Sequence, residues 1–368
     1  MKHLFVDISS HGFGHLAQTA PILNALTARR SLQLTVRSGL AQEQLARRIQ
    51  APFAHIHAAS DFGFVMHDAL RVDLAASSAR YRTAYANWPQ RVADEASLLE
   101  KIAPNLVLSN VSPLPLAGAA AAGIPALAMC SLNWADLFAY YYPEQDWAVP
   151  IHAAMRTAYA SAQAFIRFTP GMAMPDLPNV KVVGSVSVYA HHPAHTTREQ
   201  AAQALGLPLH KRWLLVALGG IAHRLPVEDW PEMPDTQLLV PADWQVAQRA
   251  DITPYSDAQI SFADLLPIVD VVLSKPGYGT FVEAACCGLP VLYLQRPDWP
   301  EAECLEEWLH QHTRAAILSP AAGLSGDFLA LLNELLAQAA PPRPQADGIA
   351  QALRLINDAL DGSDTIKP

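Results

Sequence analysis

The sequence predicts an α/β protein built as two doubly wound domains. Three observations carry that expectation. Short apolar runs alternate with helical stretches from the first residues onward, the alternation breaks between 169 and 197, and it then restarts. At 368 residues the chain also exceeds the size at which one hydrophobic core ordinarily keeps growing.

The strand-like runs LFVDI (4–8) and LQLTV (32–36) are followed by helices from about Gly14 and through AQEQLARRI (41–49). A long helical region from about Leu70 to Ile102 leads to the strand LVLSN (106–110), an Ala-rich helix, PALAMC (125–130) and AFIRF (164–168). The stretch 169–197 is rich in Pro, His and small residues around one short strand, VKVVGSV, and reads as a linker. Beyond it come the helix REQAAQALGL, strands WLLVALGG and TQLLV, the helix SFADLLPIV, strand VVLS, helix GTFVEAACCG, strand PVLYLQ, helix EAECLEEWLHQH and strand RAAIL. The expected boundaries are 1–185 and 186–342, with 343–368 a C-terminal amphipathic helix that packs back on the N-terminal domain.

Composition narrows the function classes. With 34 acidic and 25 basic residues the formal charge is −9, and no Lys/Arg-rich run is present to neutralise a row of phosphates, so nucleic acid is not an expected partner. The N-terminus lacks the apolar core of a signal peptide and no apolar span is long enough for a transmembrane helix, so a cytoplasmic protein is expected, with peripheral membrane contact left open. The four cysteines have neither C-x-x-C spacing nor the density of a disulfide scaffold and read as reduced thiols.

In open parallel sheets ligands bind beyond the carboxyl ends of the strands, which directs attention to three loops. The first, SSHGFGH, follows strand LFVDI. Gly12 and Gly14 let the backbone turn tightly and approach a ligand, while His15 falls in the first turn of a helix. The positive helix end should lower the His15 pKa and leave a neutral imidazole able to accept a proton. The bland alternative is a tight strand-to-helix turn with an incidental histidine; G-x-G-x-x-G would need a glycine at Ala17. The second loop holds Gly219 and Gly220, a pair equally compatible with plain loop geometry.

The third, VVLSKPGYGTFVEAACCG, brings Gly277, Tyr278, Gly279 and the Thr280 hydroxyl to a helix N-terminus suited to a phosphate, with Lys275 nearby unless Pro276 turns it away. Glu283, three residues after Thr280, is either a capping-box acid or a bidentate acceptor for two ribose hydroxyls. No Walker A pattern and no G-x-S-x-G elbow appear. His191, His192 and His195 have metal-like spacing, but in a Pro-containing stretch without cysteine they read as a solvated linker. The aromatic segment NWADLFAYYY reads first as core packing.

Taken in order, HGFGH, ALGGI, K-P-G-Y-G-T-x-x-E-A followed by G-L-P-V, and RPDWPEAECL resemble the GT-B glycosyltransferases over most of the chain. The similarity is greatest to the glycosyltransferase-like N-terminal region of arabinokinases and extends to the branch that includes the lipid II N-acetylglucosaminyltransferase. The resemblance implies two Rossmann-like domains facing across a cleft, a nucleotide-sugar donor against the C-terminal domain and an acceptor held by the N-terminal one. Carried over by position, His15 matches the cleft residue that acts as catalytic base or donor-site contact. Gly12, Gly14, Gly219, Gly220, Gly277, Tyr278, Gly279 and Thr280 become donor contacts, Glu283 the ribose acid and Glu303 a donor-sugar contact.

Two departures stand out. Gln18 occupies a position where many relatives carry arginine, which removes an expected charge contact. The phosphate loop of the arabinokinase kinase module is absent, so kinase activity is not implied. The expected protein is a glycosyltransferase using a nucleotide sugar, of UDP type, with an unread acceptor and neither metal nor other cofactor. A nucleotide-sugar epimerase and a catalytically silent nucleotide-sugar-binding protein are the alternatives.

Overall fold

The computed structural model describes residues 1–190, 196–220 and 223–362. Seven parallel strands form the first sheet: β1 (Lys2–Ile8), β2 (Leu32–Ser38), β3 (Ala54–His57), β4 (Leu106–Asn110), β5 (Ala126–Cys130), β6 (Ala164–Phe168) and β7 (Val180–Val183), ordered β3-β2-β1-β4-β5-β6-β7. Six more form the second: β8 (Arg212–Ala217), β9 (Thr236–Pro241), β10 (Ile252–Tyr255), β11 (Val271–Ser274), β12 (Val291–Leu294) and β13 (Ala315–Leu318), ordered β10-β9-β8-β11-β12-β13. The two sheets share one winding scheme, in which the strand order reverses beside the first strand, between β1 and β4 and again between β8 and β11. Side chains leaving the carboxyl ends of these paired strands therefore flank the crevice where such sheets hold ligands.

The chain divides into two units, one made of Met1–His67, Val72–Val186 and the chain from Ala346 onward, the other of Asp68–Arg71 and Ser187–Gln345. In the first, β4 and β5 are buried along their whole length, as strands covered by helices on both faces must be. The helix Gly348–Gly362 packs against the helix Gly14–Thr27 and strands β5 and β7. Arg30 pairs with Asp361 at 2.7 Å, and Gln351 accepts a bond from the Gly184 amide at 2.7 Å. In the second unit Leu214, Val216, Leu238, Leu273, Leu292 and Phe328 lie in one fully enclosed core.

A buried ion triad ties β1, β2 and a helix of the first unit together. Arg37 donates to Asp7 at 2.5 Å and to both oxygens of Glu95 at 2.7 Å, all three side chains being almost fully enclosed. The bidentate fork and the second carboxylate satisfy a guanidinium that would be very costly to bury alone.

Three local expectations fail for identifiable reasons. The helical region from Leu70 to Ile102 is two helices, Leu74–Ala86 and Trp88–Ile102. Asp73 starts the first by accepting the Ala76 amide at 2.9 Å, and Pro89, which lacks an N–H, fits only the first turn of the second. The stretch SFADLLPIV forms only one turn of α-helix, Phe262–Leu265, before a 3-10 turn containing Pro267. Edge strands β3 (AHIH) and β10 (ITPY) went unread because neither carries an apolar run, and β10 holds a proline that an edge tolerates. No helix among the described residues is long and apolar enough to cross a membrane.

Candidate functional site

At the first sheet's reversal point Ile8 of β1 lies in register with Asn110 of β4. Beyond Ile8 the chain turns through Gly12, whose φ of +98° is a conformation side chains disfavour, and enters the helix Gly14–Thr27. A Cβ at Gly12 or Gly14 would meet nothing within 4 Å, so the surface above both is open to a ligand. His15, second residue of that helix, is 6% exposed and bonds through Nδ1 to Asn110 Oδ1 at 2.9 Å.

The surrounding hydrogen bonds fix the imidazole's state. Asn110 Nδ2 faces Gln18 Oε1 at 3.1 Å, Thr19 Oγ1 at 3.0 Å and the His15 carbonyl at 3.3 Å, which sets the amide with its oxygen toward the ring. His15 Nδ1 must then carry the proton, leaving the Nε2 lone pair without a hydrogen bond among the described residues. Burial drives the His15 pKa down to about 4, only partly offset by the Asn110 bond. Enclosure is the principal cause of this lowering, where the sequence pointed to the helix dipole.

Gln18 is 2% exposed and inside this network, donating to Ser131 Oγ at 2.7 Å. Its amide is thus committed to buried partners, Asn110 and Ser131.

Trp134 adds an aromatic wall. Its ring lies edge-on to His11 at 5.3 Å and to His15 at 5.6 Å, and its indole N–H donates to Asp61 at 2.6 Å. Asp61 also accepts from Ser9 at 2.8 Å; burial and the neighbouring Asp7 push its carboxyl up to about 6. Gly63 has φ +56°, and a Cβ there would sit 2.7 Å from the His11 ring and 2.8 Å from Trp134, so only glycine lets the loop close over both. Within NWADLFAYYY, Trp134, Leu137, Phe138 and Tyr142 pack as core while Tyr140 is 56% exposed, and the tryptophan also reaches Asp61.

At the second reversal point Ala217 and Ser274 lie in register, and both chains then turn into glycine loops. Gly219 has φ +84°, and Lys275 Nζ lies 3.9 Å from where its Cβ would be and 4.0 Å from that of Gly277. Pro276 therefore does not turn the lysine away. Burial, with Arg296 reinforcing and Glu301 opposing, lowers the Lys275 pKa to about 7. Arg296 is 4% exposed and stacks on Trp299 at 3.9 Å, whose indole N–H donates to Glu301 at 3.1 Å. Lys275 beside the glycine loops, with Arg296 near enough to oppose its charge, forms an environment that an anion would relieve.

The helix of GYGTFVE starts earlier than expected, at Tyr278, with Gly277 as its N-cap. Tyr278 is buried, whereas Gly279 and Thr280 are half-buried and the Thr280 hydroxyl makes no hydrogen bond among the described residues. Glu283 is the sixth helical residue and 3% exposed, so it lies beyond the third position that a capping box requires. Gly220 is exposed in the loop after β8. Glu303 is exposed on the helix Glu301–His312, while Glu301 is enclosed and feels Lys275, so the acid brought to the glycine loops is Glu301. His191, His192 and His195 lie outside the described residues.

Sequence reading missed Asn110, Asp61, Arg296 and Glu301. Asn110 carried a signal, a polar residue ending the buried run LVLSN. Asp61 follows the unread strand β3, and Glu301 differs from Glu303 only by its helical face.

No family model matches the chain. It is 25% identical over 329 residues to the L-arabinokinase of Arabidopsis thaliana, a match that covers 84% of this chain and 30% of that protein. Among solved structures it resembles the glycotransferase of kitacinnamycin (TM-score 0.60, 15% identity, 99% and 98% of the two chains). It also resembles the UDP-GlcNAc 2-epimerase from Methanocaldococcus jannaschii (TM-score 0.58, 11% identity, 96% and 99%). Two all-parallel, doubly wound units that share this strand order and these structural neighbours give the chain the GT-B fold.

Proposed function

We propose that this protein is a glycosyltransferase that moves a sugar from a nucleotide diphosphate donor of UDP type to an acceptor hydroxyl. The observation that carries the reading is the position of Lys275 Nζ against both glycine loops at the reversal point of the second sheet. There Gly219, Gly220, Gly277, Gly279, the Thr280 hydroxyl and the free amides of the helix N-terminus would hold the diphosphate, and Glu283 the ribose.

In the transfer step His15 Nε2 takes the proton of the acceptor hydroxyl as its oxygen bonds to the sugar's anomeric carbon. The bond from that carbon to the diphosphate oxygen breaks, and the diphosphate leaves with the electron pair. Lys275, Arg296 and the helix end stabilise the developing charge, a role that elsewhere falls to a divalent ion. Titration calorimetry with a panel of nucleoside diphosphates, followed by a donor-turnover assay, tests the reading: UDP binding with turnover supports it, and absence of nucleotide binding overturns it.

The epimerase among the structural neighbours favours a second reading, nucleotide-sugar epimerisation. Formation of an epimeric nucleotide sugar without any acceptor would establish it. Nucleotide binding without turnover would instead mark a silent sensor.

A further inference from the structure

The first unit contains a cavity of about 210 Å³ between the loop after β3, the helices Leu74–Ala86 and Trp88–Ile102, and Trp134. Aromatic rings make up much of its apolar surface, beside Leu114 and Met155. Tyr85 and Trp88 stack face to face at 4.5 Å and 13°, and Phe62 and Trp134 stand elsewhere in the wall. Its polar side chains include one carboxylate, Asp61, two guanidinium groups, Arg80 and Arg91, and the hydroxyl groups of Ser60, Tyr81, Tyr85 and Ser112. Arg91 is held in place by the carbonyls of Ala84 at 2.8 Å and Ser60 at 3.4 Å. The Tyr85 hydroxyl makes no hydrogen bond among the described residues.

This combination selects a ligand class. Aromatic rings with a carboxylate also make a cage for an ammonium cation, but two guanidinium groups line this cavity, Arg91 and Arg80, the latter 4.5 Å over the Phe62 ring. A phosphate would pair with the arginines but face Asp61. A neutral ring bearing several hydroxyls satisfies both signs, donating to the carboxylate, accepting from guanidinium and phenol, and laying its C–H faces on the aromatic planes. The volume lies below the ~300–1,000 Å³ usual for drug-sized ligands, which limits the occupant to about one ring.

We infer that this cavity binds a neutral monosaccharide, which is the acceptor of the transfer. The inference rests on the proposed glycosyltransferase reading, and it deepens it by naming the acceptor class. Trp134 connects the two, as one wall of the cavity and the neighbour of the His15 ring.

Saturation-transfer NMR and calorimetry on the full chain, with a panel of neutral pentoses and hexoses, choline and inorganic phosphate as probes, test the inference. The expected result is binding of at least one sugar at about 1 mM. Tyr85→Phe should weaken it roughly fivefold to tenfold, as loss of one hydrogen bond does. Trp88→Ala should weaken it further, and UDP affinity should stay unchanged in both variants. Tyr85→Phe removes one oxygen and preserves the ring stack, so it remains informative if Trp88→Ala does not fold. Preference for choline or phosphate, sugar binding indifferent to Tyr85→Phe, or no sugar binding at tens of millimolar overturns the inference. Absence of sugar binding with intact UDP binding refutes the acceptor class alone, whereas loss of UDP binding refutes the donor reading.

Discussion

Asn110 Oδ1 accepts a 2.9 Å hydrogen bond from His15 Nδ1 at the reversal point of the first sheet, which leaves the Nε2 lone pair of the neutral imidazole without a hydrogen bond among the described residues. A carboxylate in the place of Asn110 would stabilise the imidazolium; an amide holds the tautomer without doing so. The imidazole is therefore positioned by geometry and kept neutral by enclosure.

That arrangement sets a pH signature. With its pKa lowered from 6.5 to about 4, His15 is neutral throughout the range in which a free histidine titrates. The acidic limb of kcat should not show a titration near 6.5 from this residue, and Asn110→Asp should move the limb upward toward neutral. The sign for stability is the same: the unfolded chain binds the extra proton first. The contribution of neutral His15 is thus complete above pH 6.5 and lost as pH falls through about 4. Denaturation of His15→Gln across that window should show a flatter acid dependence than the parent.

Lys275, lowered to about 7 by burial and by Arg296, should regain its proton when a diphosphate binds. Nucleotide binding at pH 8 is expected to take up protons, seen as a calorimetric heat that varies with buffer ionisation enthalpy, and affinity should fall as pH rises above 7. Lys275→Met should remove this linkage and weaken UDP by roughly tenfold or more, the effect of one charged hydrogen bond. Buffer-independent heats would place the anion elsewhere.

The exposed Glu303 and the enclosed Glu301 offer a discriminating pair. Glu301→Gln removes the carboxylate that favours the charged Lys275, so it should lower the lysine pKa further and shift the pH dependence of UDP binding. Glu303→Gln should leave that dependence unaltered. The opposite ranking would return the donor-side acid to position 303.

Removing Arg37 leaves Asp7 and Glu95 enclosed without their cation. Arg37→Met is expected to cost about 3–5 kcal/mol in urea denaturation, the range for breaking a buried pair at one end. A loss within the range of surface substitutions would show that the triad is solvated in solution.

The winding of the sheets was legible because fully buried parallel strands read as continuous apolar runs, LFVDI, LVLSN and VVLS among them. Edge strands β3 and β10 lack such runs and were invisible for that reason. Glycine loops and His15 could be located because a strand end fixes where a ligand approaches. Their chemistry could not, because it depends on partners distant in sequence. Asn110 meets His15 across 95 positions, Asp61 meets Trp134 across 73, and no local pattern encodes either bond. The choice between Glu301 and Glu303 turned on a helical face, which two residues of register reverse.

The most direct test of the central claim is single-turnover release of UDP from a UDP-sugar by the parent protein and by His15→Ala, with UDP affinity measured on both. The expected result is an affinity preserved within about twofold and a turnover reduced by roughly 10²–10⁴, the scale of general-base catalysis. Equal turnover in the two proteins would contradict the assignment of His15 Nε2 as the base.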